Sequence, residues 1–403
     1  MGERSESFLT DAHGRDHHSR AALALADDGR FLALKVETIA NIGAAVSAYA
    51  AFVPTWSGAG IQSGVYDILA VLVHVRGALT NTAPVDAYRG AGRPETACLL
   101  ERLVDKAARE TGLGPVAIRR RNFIPPSAMP YRTAGGRVYD SGEFNTILTK
   151  ALNRAEWADF PARRAAAAAR GRWRGIGLAY YIEICAGGTA ETATVEVNGA
   201  GQCTIRIGTQ STGQGHETAF AQMTSAALGV PVASVSVLQG DTDAVVSGGG
   251  TSASRTLAVG GAALERALAK IVAAGGVAEA KKRQGLTTRA HYTPPAATFP
   301  NGCHIAEVEV DPETGAVALI THTIVDDVGV VLNPLLLRGQ IIGGAVQGIG
   351  QALLEEVVYD AESGQLLTGS LVDYAVPRAE DVPRFRFETH PVPCRHQPLG
   401  MEG

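Results

Sequence analysis

Residues 208–223 read GTQSTGQGHETAFAQM. Gly208, Gly213 and Gly215 are interleaved with Thr209, Gln210, Ser211, Thr212, Gln214 and His216, and an apolar helical run follows at once. One answer to why so many hydrogen-bonding groups sit on so flexible a backbone before a helix is that the loop holds something polar. The arrangement returns at SGGGTSASRT, residues 247–256, ahead of the run LAVGGAALERALAKIVAAGG. Helix N-termini carry unpaired N–H groups and partial positive charge, and glycine lets them approach phosphate oxygens closely. Two such junctions suit an extended anionic ligand such as a nucleotide-bearing cofactor, with Arg255 adding a charge-assisted contact. They suit equally a pair of capped turns that hold no ligand. Neither matches the phosphate-loop consensus, and GGAVQGIG at 343–350 lies inside a helical pattern, where a dinucleotide fingerprint does not belong.

AYRGAGRPE, residues 87–95, is a third loop-to-helix junction. An arginine flanked by small residues, as Arg89 is, can lay its fork against an oxyanion or a metal-oxo group; it can equally be a surface arginine in a turn. His216 reads as a capping or network residue rather than a metal ligand, because no second histidine or carboxylate lies at ligand spacing. No Ser/His/Asp set or nucleophile elbow is present to anchor hydrolase chemistry.

The wider sequence narrows the class. The 403 residues suffice for two or three domains, and 46% hydrophobic with 19% charged residues is a soluble globular balance. A net charge of −4 provides no basic field for nucleic acid. The 47 glycines show no period, which excludes collagen. Cys98, Cys185, Cys203, Cys303 and Cys394 form no CxxC pair, so they read as buried reduced thiols rather than a zinc, iron–sulfur or disulfide framework. The polar N-terminus is no signal peptide, and no apolar run approaches the ~18 residues of a membrane span, so a cytoplasmic protein is expected.

Residues 20–46 predict two strands joined by Asp-Asp-Gly, and 64–76 a third. A helix follows AYRGAGRPE, with Pro94 in its first turn and Gly112 at its C-cap. A second unit opens near residue 146 with a helix. The basic tract at 162–175 reads as an alanine-rich helix or linker with a solvated face. Strands are predicted at 176–184, 192–198 and 202–207, then a helix ending at Gly229, a strand SVSVLQGD and a long helix. From 305 to 378 the order is strand, DPETG turn, strand, helix, hairpin. Mixed strands and helices without strict alternation predict an α+β fold.

Eight segments, in order, carry a family likeness: ERSESFLTDAHGRDH, NTAPVDAYRGAGRPE, IRRRNFIPP, GTQSTGQGHET, GGGTSASRT, AEVEVDPETG, VDDVGVVLNPLLLRGQIIGGAVQGIGQALLEE and DYAVPRAEDVP. The chain resembles the molybdenum-binding subunit of the xanthine dehydrogenase and aldehyde oxidase family, on the branch similar to the large chain of aerobic carbon-monoxide dehydrogenase. The resemblance implies two molybdopterin-binding domains, 1–145 and 146–403, without the family's small N-terminal domain. It implies a molybdopterin held through its organic part, in the cytosine dinucleotide form, with molybdenum on the pterin sulfurs and no side-chain metal ligand. By the same likeness Arg89 lies beside the molybdenum, and Gln210, Gly213, Gln214, Gly215 and His216 line the pterin or its phosphates. Thr251, Ser252, Ala253, Ser254 and Arg255 cradle the other side, Gln340 reaches the pterin, and Gly90, Ala91 and Tyr180 border the substrate pocket.

The implied reaction is hydroxylation of an aldehyde or N-heterocycle with water as oxygen source, a glutamate serving as base. FAD and [2Fe–2S] clusters are expected on partner subunits, in a dimer of heterotrimers. Gly90 stands where the carbon-monoxide enzymes carry a copper-binding cysteine, and Ala91 where xanthine-type enzymes carry an aromatic ring, which weighs against both substrates. The first glycine-rich loop of the family is missing, and 275–300 looks abbreviated. The chain reaches HQPLGMEG, where Glu402 aligns with a family lysine and becomes the base only if a short deletion is allowed. A truncated remnant that binds cofactor or partners without turnover is therefore the alternative, with a general nucleotide-binding protein a third reading. The absent segments also predict poor solubility in isolation.

Overall fold

The computed structural model describes residues 2–185, 188–245 and 247–403. The chain opens with helix α1 (Arg4–Thr10) and strands β1 (His17–Leu25), β2 (Phe31–Gly43) and β3 (Ala70–Leu79). Helices α2 (Arg93–Thr111) and α3 (Pro115–Asn122), the short strands β4 (Tyr131–Arg132) and β5 (Val138–Tyr139), and helices α4 (Phe144–Arg154) and α5 (Phe160–Ala168) follow. Strands β6 (Trp173–Ile182), β7 (Glu191–Asn198) and β8 (Cys203–Ile207) lead to α6 (His216–Leu228) and β9 (Val235–Leu238). Next come α7 (Ala262–Ala273), α8 (Gly276–Arg283), β10 (Gly285–Tyr292), β11 (Asn301–Val310), β12 (Val317–Asp327), α9 (Pro334–Leu353) and β13 (Arg386–Thr389).

The fold is α+β with open mixed sheets. Two compact units share the chain by interleaving: residues 1–183, 301–326 and 341–389 form the first, and 184–300, 327–340 and 390–403 the second. The boundary expected at 145/146 follows chain order, whereas compactness follows pairing. Strand β6 runs antiparallel to β11, residue 182 opposite 301, so 173–182 belongs with the first unit.

In the first unit β1 and β2 form the expected hairpin around residues 27–29, and β3 joins β2 in parallel. The third strand starts at Ala70, later than residue 64, because 60–65 is spent on turns. A second sheet has the order β13-β12-β11-β6. Between the helices and this sheet lies a dry polar cluster. The Arg119 guanidinium donates to Glu101 Oε2 at 2.8 and 2.9 Å and to the carbonyls of Pro115 and Leu178. Tyr66 Oη and the Tyr180 N–H complete the Glu101 carboxylate at 2.5 and 2.8 Å. Burial beside Glu101 pushes the Tyr66 hydroxyl well up, so it stays protonated and donating.

The basic tract is a ladder rather than a solvated face. Arg163 and Arg174 both bond Glu307 of β11, Arg170 bonds Glu309, and Arg172 pairs with Asp311. Burial alone would raise the Glu307 carboxyl, but the two forks outweigh it and hold it below the usual carboxylate range. Of the five cysteines four are buried as expected; Cys98 is exposed on α2.

The second unit has a sheet of order β10-β7-β8-β9, with β8 and β9 parallel and the other pairs antiparallel. Burial alternates strictly along β7 and β8. Val195, Val197, Ile205 and Ile207 thus meet Ala263, Leu264, Ala267, Leu268 and Ile271 of α7, and each large side chain contributes about 1.5–3 kcal/mol. The predicted long helix is broken: Thr256–Gly261 forms a π turn before α7, and Gly275, at φ 104°, separates α7 from α8. The stretch expected to be an abbreviated connection contains β10. No helix among the described residues is long and apolar enough to cross a membrane.

Two outcomes follow from the first unit. Glu101→Gln removes the buried one of the two carboxylates paired with Arg119 and leaves only the more exposed Asp105, so denaturant unfolding should show a loss of about 3 kcal/mol, the low end for a broken buried pair. His322 Nε2 lies 3.1 Å from His304 Nδ1, and burial, reinforced by His304, brings His322 down to about 3. The unfolded chain binds that proton near pH ~6.5, so stability is full above this value and is lost as the pH falls toward 3. His322→Gln should therefore move the acid-unfolding midpoint to lower pH, read by circular dichroism.

Candidate cofactor cradle

In the second unit the two polar loops fold onto each other. A Cβ on Gly208 would overlap the Cα of Gly248, and a Cβ on Gly248 the Cα of Gly208. The Gly250 N–H donates to the Gly208 carbonyl at 3.0 Å, and the Gln210 N–H to Thr251 Oγ1 at 2.9 Å. Thr209 Oγ1 donates to Gln239 Oε1, and the Gln239 amide donates to Glu217 Oε1. The end of β9 is thereby tied to both sides of the first loop. Gly213 (φ 104°) and Gly215 (φ 81°) turn the chain into α6 through the left-handed region, which glycine enters without steric cost.

The second loop is held from below by charge. Arg255 and Glu191 are 2% and 1% exposed, and Arg255 Nη1 lies 2.9 Å from Glu191 Oε2. The same guanidinium donates to the carbonyls of Gly250, Thr189 and Ala190. Glu191 accepts in turn from the N–H groups of Gly249 and Thr192. Arg255 therefore shapes the loop, and its charge is already answered by Glu191. Above this pair Ala253 (φ 46°) and Ser254 (φ 51°) are left-handed without being glycine. Such strain persists only where the surroundings over-determine it, and it collects at ligand clamps. Thr251, Ser252, Ala253 and Ser254 are exposed.

His216 opens α6 and is buried, with Nδ1 lacking a hydrogen-bond partner. Burial lowers its pKa, so the ring is neutral at pH 7. The Glu217 carboxyl is lowered by its own backbone N–H, with Ser211 and Gln239 adding to this. It thus answers part of the positive end of α6. Gln214 Oε1 accepts from Thr212 N–H and Oγ1 within the loop. Gln340 is exposed on α9.

Residues 390–403 belong to the same unit and pack under the second loop. Gln397 donates to the Ala258 carbonyl at 2.8 Å and accepts from the Met401 N–H at 3.0 Å. Met401 bridges to Gly329, and Glu402, 1% exposed, is fixed through its backbone by Val328 and Thr298.

In the first unit the 87–95 junction has three consecutive left-handed residues, Gly90, Ala91 and Gly92, at φ 88°, 41° and 94°. Ser57 Oγ and Arg93 Nη1 donate to the Ala91 carbonyl, and the Gly92 N–H donates to Glu95 Oε2. Arg89 is exposed, and its guanidinium comes within 3.5–3.9 Å of where side chains would begin on Gly343 and Gly344. Tyr180, expected at the substrate pocket, is instead a core residue. It is 2% exposed, packs edge-on against Phe123 and Phe144, and donates its hydroxyl to Asn301. Sequence reasoning missed Glu191, Gln239 and Gln397. An acid in register with the inward Ala193, Val195 and Val197 was the available signal for Glu191.

A pterin cofactor fits these residues: exposed hydroxyls and amides, glycines that admit close approach, strained backbone pinned from beneath, and a buried imidazole nitrogen still to be satisfied. The molybdopterin cofactor-binding domain matches in two forms, one over residues 1–123 and the other over 150–280 and 274–383. The chain belongs to the molybdopterin cofactor-binding family. It is 32% identical to the carbon monoxide dehydrogenase large chain of Hydrogenophaga pseudoflava, over 100% of this chain and 57% of that one. It is also 32% identical to the 6-hydroxypseudooxynicotine dehydrogenase complex subunit gamma of Paenarthrobacter nicotinovorans, over 100% and 56%. Quinoline 2-oxidoreductase from Pseudomonas putida 86 superposes with a TM-score of 0.94 at 32% identity, covering 100% of this chain and 58% of that one. The chain thus spans a little over half the length of these relatives.

Gly248→Ala tests the loop closure. A methyl there forces the two backbones apart, and overpacking of this kind costs about 1–3 kcal/mol. Thermal unfolding should report that loss, and hydrogen exchange should rise at Gly250 and Gln210.

Proposed function

We propose that this chain forms the cofactor-holding part of a molybdenum hydroxylase that oxidises an aldehyde or an N-heterocycle. The closure of loops 208–215 and 247–255 on each other carries the reading, because it yields a pinned polar cradle. Gln210, Gly213, Gln214, Gly215 and His216 hold the pterin or its phosphates on one side, Thr251, Ser252, Ala253 and Ser254 on the other, and Gln340 offers a further amide. Arg255 acts through the loop backbone. When bound, the cofactor supplies two-electron chemistry that places a water-derived oxygen on a carbon centre.

Arg89 offers a cationic fork to an oxyanion, and Gly90 and Ala91 beside it are assigned to the border of the substrate pocket by the family likeness. The name of the quinoline enzyme supports the N-heterocycle class. Glu402 is the proposed proton acceptor, being the only carboxylate of the 390–403 segment and held in a dry setting by its fixed backbone. A cytosine dinucleotide tail, flavin and [2Fe–2S] partner subunits, a dimer of heterotrimers and a cytoplasmic location complete the reading. The second relative's name, a complex subunit, supports the partners.

Purified with flavin and iron–sulfur subunits, the chain should carry about one molybdenum and one pterin, measured by metal analysis and pterin fluorescence. Absence of both, with partners present, would sink the proposal. Glu402→Gln should lower turnover by roughly 10²–10⁴-fold with molybdenum content unchanged. Full turnover in that variant would assign the base elsewhere.

A further inference from the structure

The segment His13–His17, within one of the family-like motifs, takes no part in the cradle, yet it is built tightly around the 88–92 loop. The His13 N–H donates to the Pro84 carbonyl and its own carbonyl accepts from Asp86, both at 2.8 Å, in a parallel bridge to Val85. Gly14 lies so close to Tyr88 that any Cβ would overlap that side chain. Arg15 then adopts φ 57°, a left-handed backbone that side chains disfavour. Its guanidinium stacks 4.6 Å from the Tyr88 ring centroid and donates through Nη2 to the carbonyl of Arg89. Its Nε is 3.6 Å from Glu95 Oε1, while Glu95 Oε2 accepts the Gly92 N–H at 2.9 Å.

The Arg15 side chain is 8% exposed, and Nε and Nη1 are buried without hydrogen-bond partners. A strained backbone and two unanswered donors on one buried cation do not serve stability, since an apolar side chain of similar length would avoid both penalties. They do grip the three left-handed residues at two points: the Arg89 carbonyl before them, and through Glu95 the N–H of Gly92, the last of the three.

We propose that Arg15 is a positioning residue that fixes the direction in which the 89–92 loop presents Arg89 and Ala91. This deepens the reading of that loop as part of the active site, and rests on it. Its role is through main-chain atoms of the loop: Arg15 donates to the Arg89 carbonyl and faces Glu95, which accepts the Gly92 N–H. Lysine can keep one donor to the Arg89 carbonyl but loses the planar stack on Tyr88 and the approach to Glu95. Methionine keeps the length and loses every polar contact.

The test compares Arg15→Met and Arg15→Lys in the full chain purified with its partner subunits, by hydrogen exchange, molybdenum content and kinetics. In Arg15→Met, exchange at the Ala91 and Gly92 amides should rise about tenfold or more, as when local protection of roughly one hydrogen bond is lost. Amides of Leu100–Val104 and of β2 should stay within about twofold, with Arg15→Lys intermediate. Turnover should fall about tenfold at unchanged molybdenum content, with a smaller change in KM. Unchanged exchange at 88–93 in either variant overturns the proposal. So does an equal rise throughout the first unit, which would make Arg15 merely structural. If Arg15→Met does not fold, Arg15→Lys decides by the same two criteria. A local rise in exchange with full turnover would leave the positioning intact and refute the loop's place in the active site.

Discussion

Gly208 and Gly248 meet backbone to backbone, and the polar loops of the second unit depend on that contact. Two peptide segments pressed together without side chains leave carbonyls and N–H groups that the opposite strand of the loop does not answer. One carboxylate and one guanidinium answer them: Arg255 takes the carbonyls of Gly250, Thr189 and Ala190, and Glu191 takes the N–H groups of Gly249 and Thr192. A buried ion pair repays its desolvation only when its remaining donors and acceptors are used. Here nearly all are used on main chain. The pair is a backbone fastener, which is why Arg255 is not exposed as an anion hook.

The first unit relies on the same device. Arg119 spends its planar fork on Glu101 and on the carbonyls of Pro115 and Leu178, joining α2, α3 and β6. Arg163 and Arg174 share Glu307 between α5, β6 and β11. A lysine could not replace these, because a single ammonium cannot serve a carboxylate side-on and two carbonyls from a fixed plane. Units assembled from distant stretches of chain, such as 173–182 with 301–326, need fasteners of this reach.

Elements whose cause is local were legible in the sequence. Asp-Asp-Gly turns β1 into β2, Pro94 and Gly112 bound α2, and Gly229 ends α6 in the left-handed conformation expected of a C-cap. The glycine-rich loops were likewise found, because glycine spacing before a helix is itself the signal. Features caused by distant partners were not. β13 has only four residues and exists by parallel pairing with β12, some sixty residues earlier. The arginines of 162–175 looked solvated until β11 supplied Glu307 and Glu309, with Asp311 just past its end, in alternation. Tyr180 was placed at the pocket by the family likeness alone; the rings of Phe123 and Phe144 make it core.

The distribution of strain joins these observations to function. Ala91, Ala253 and Ser254 are left-handed without being glycine, and a π turn lies beside each loop, Val53–Ser57 donating to Ala91 through Ser57 and Thr256–Gly261 following Arg255. π turns are rare and gather at functional sites, and positive φ in such residues survives only under constraint. Those constraints are Ser57, Arg93 and Glu95 around Ala91, and Arg255 with Glu191 beneath Ser254. A metal bound by side chains needs only a few rigid rotamers. A large organic carrier gripped by amides and hydroxyls needs the main chain itself held still. Glycine alone would leave that main chain mobile, so the 88–92 and 247–255 loops each have beneath or beside them an arginine–carboxylate pair that removes the freedom glycine introduces.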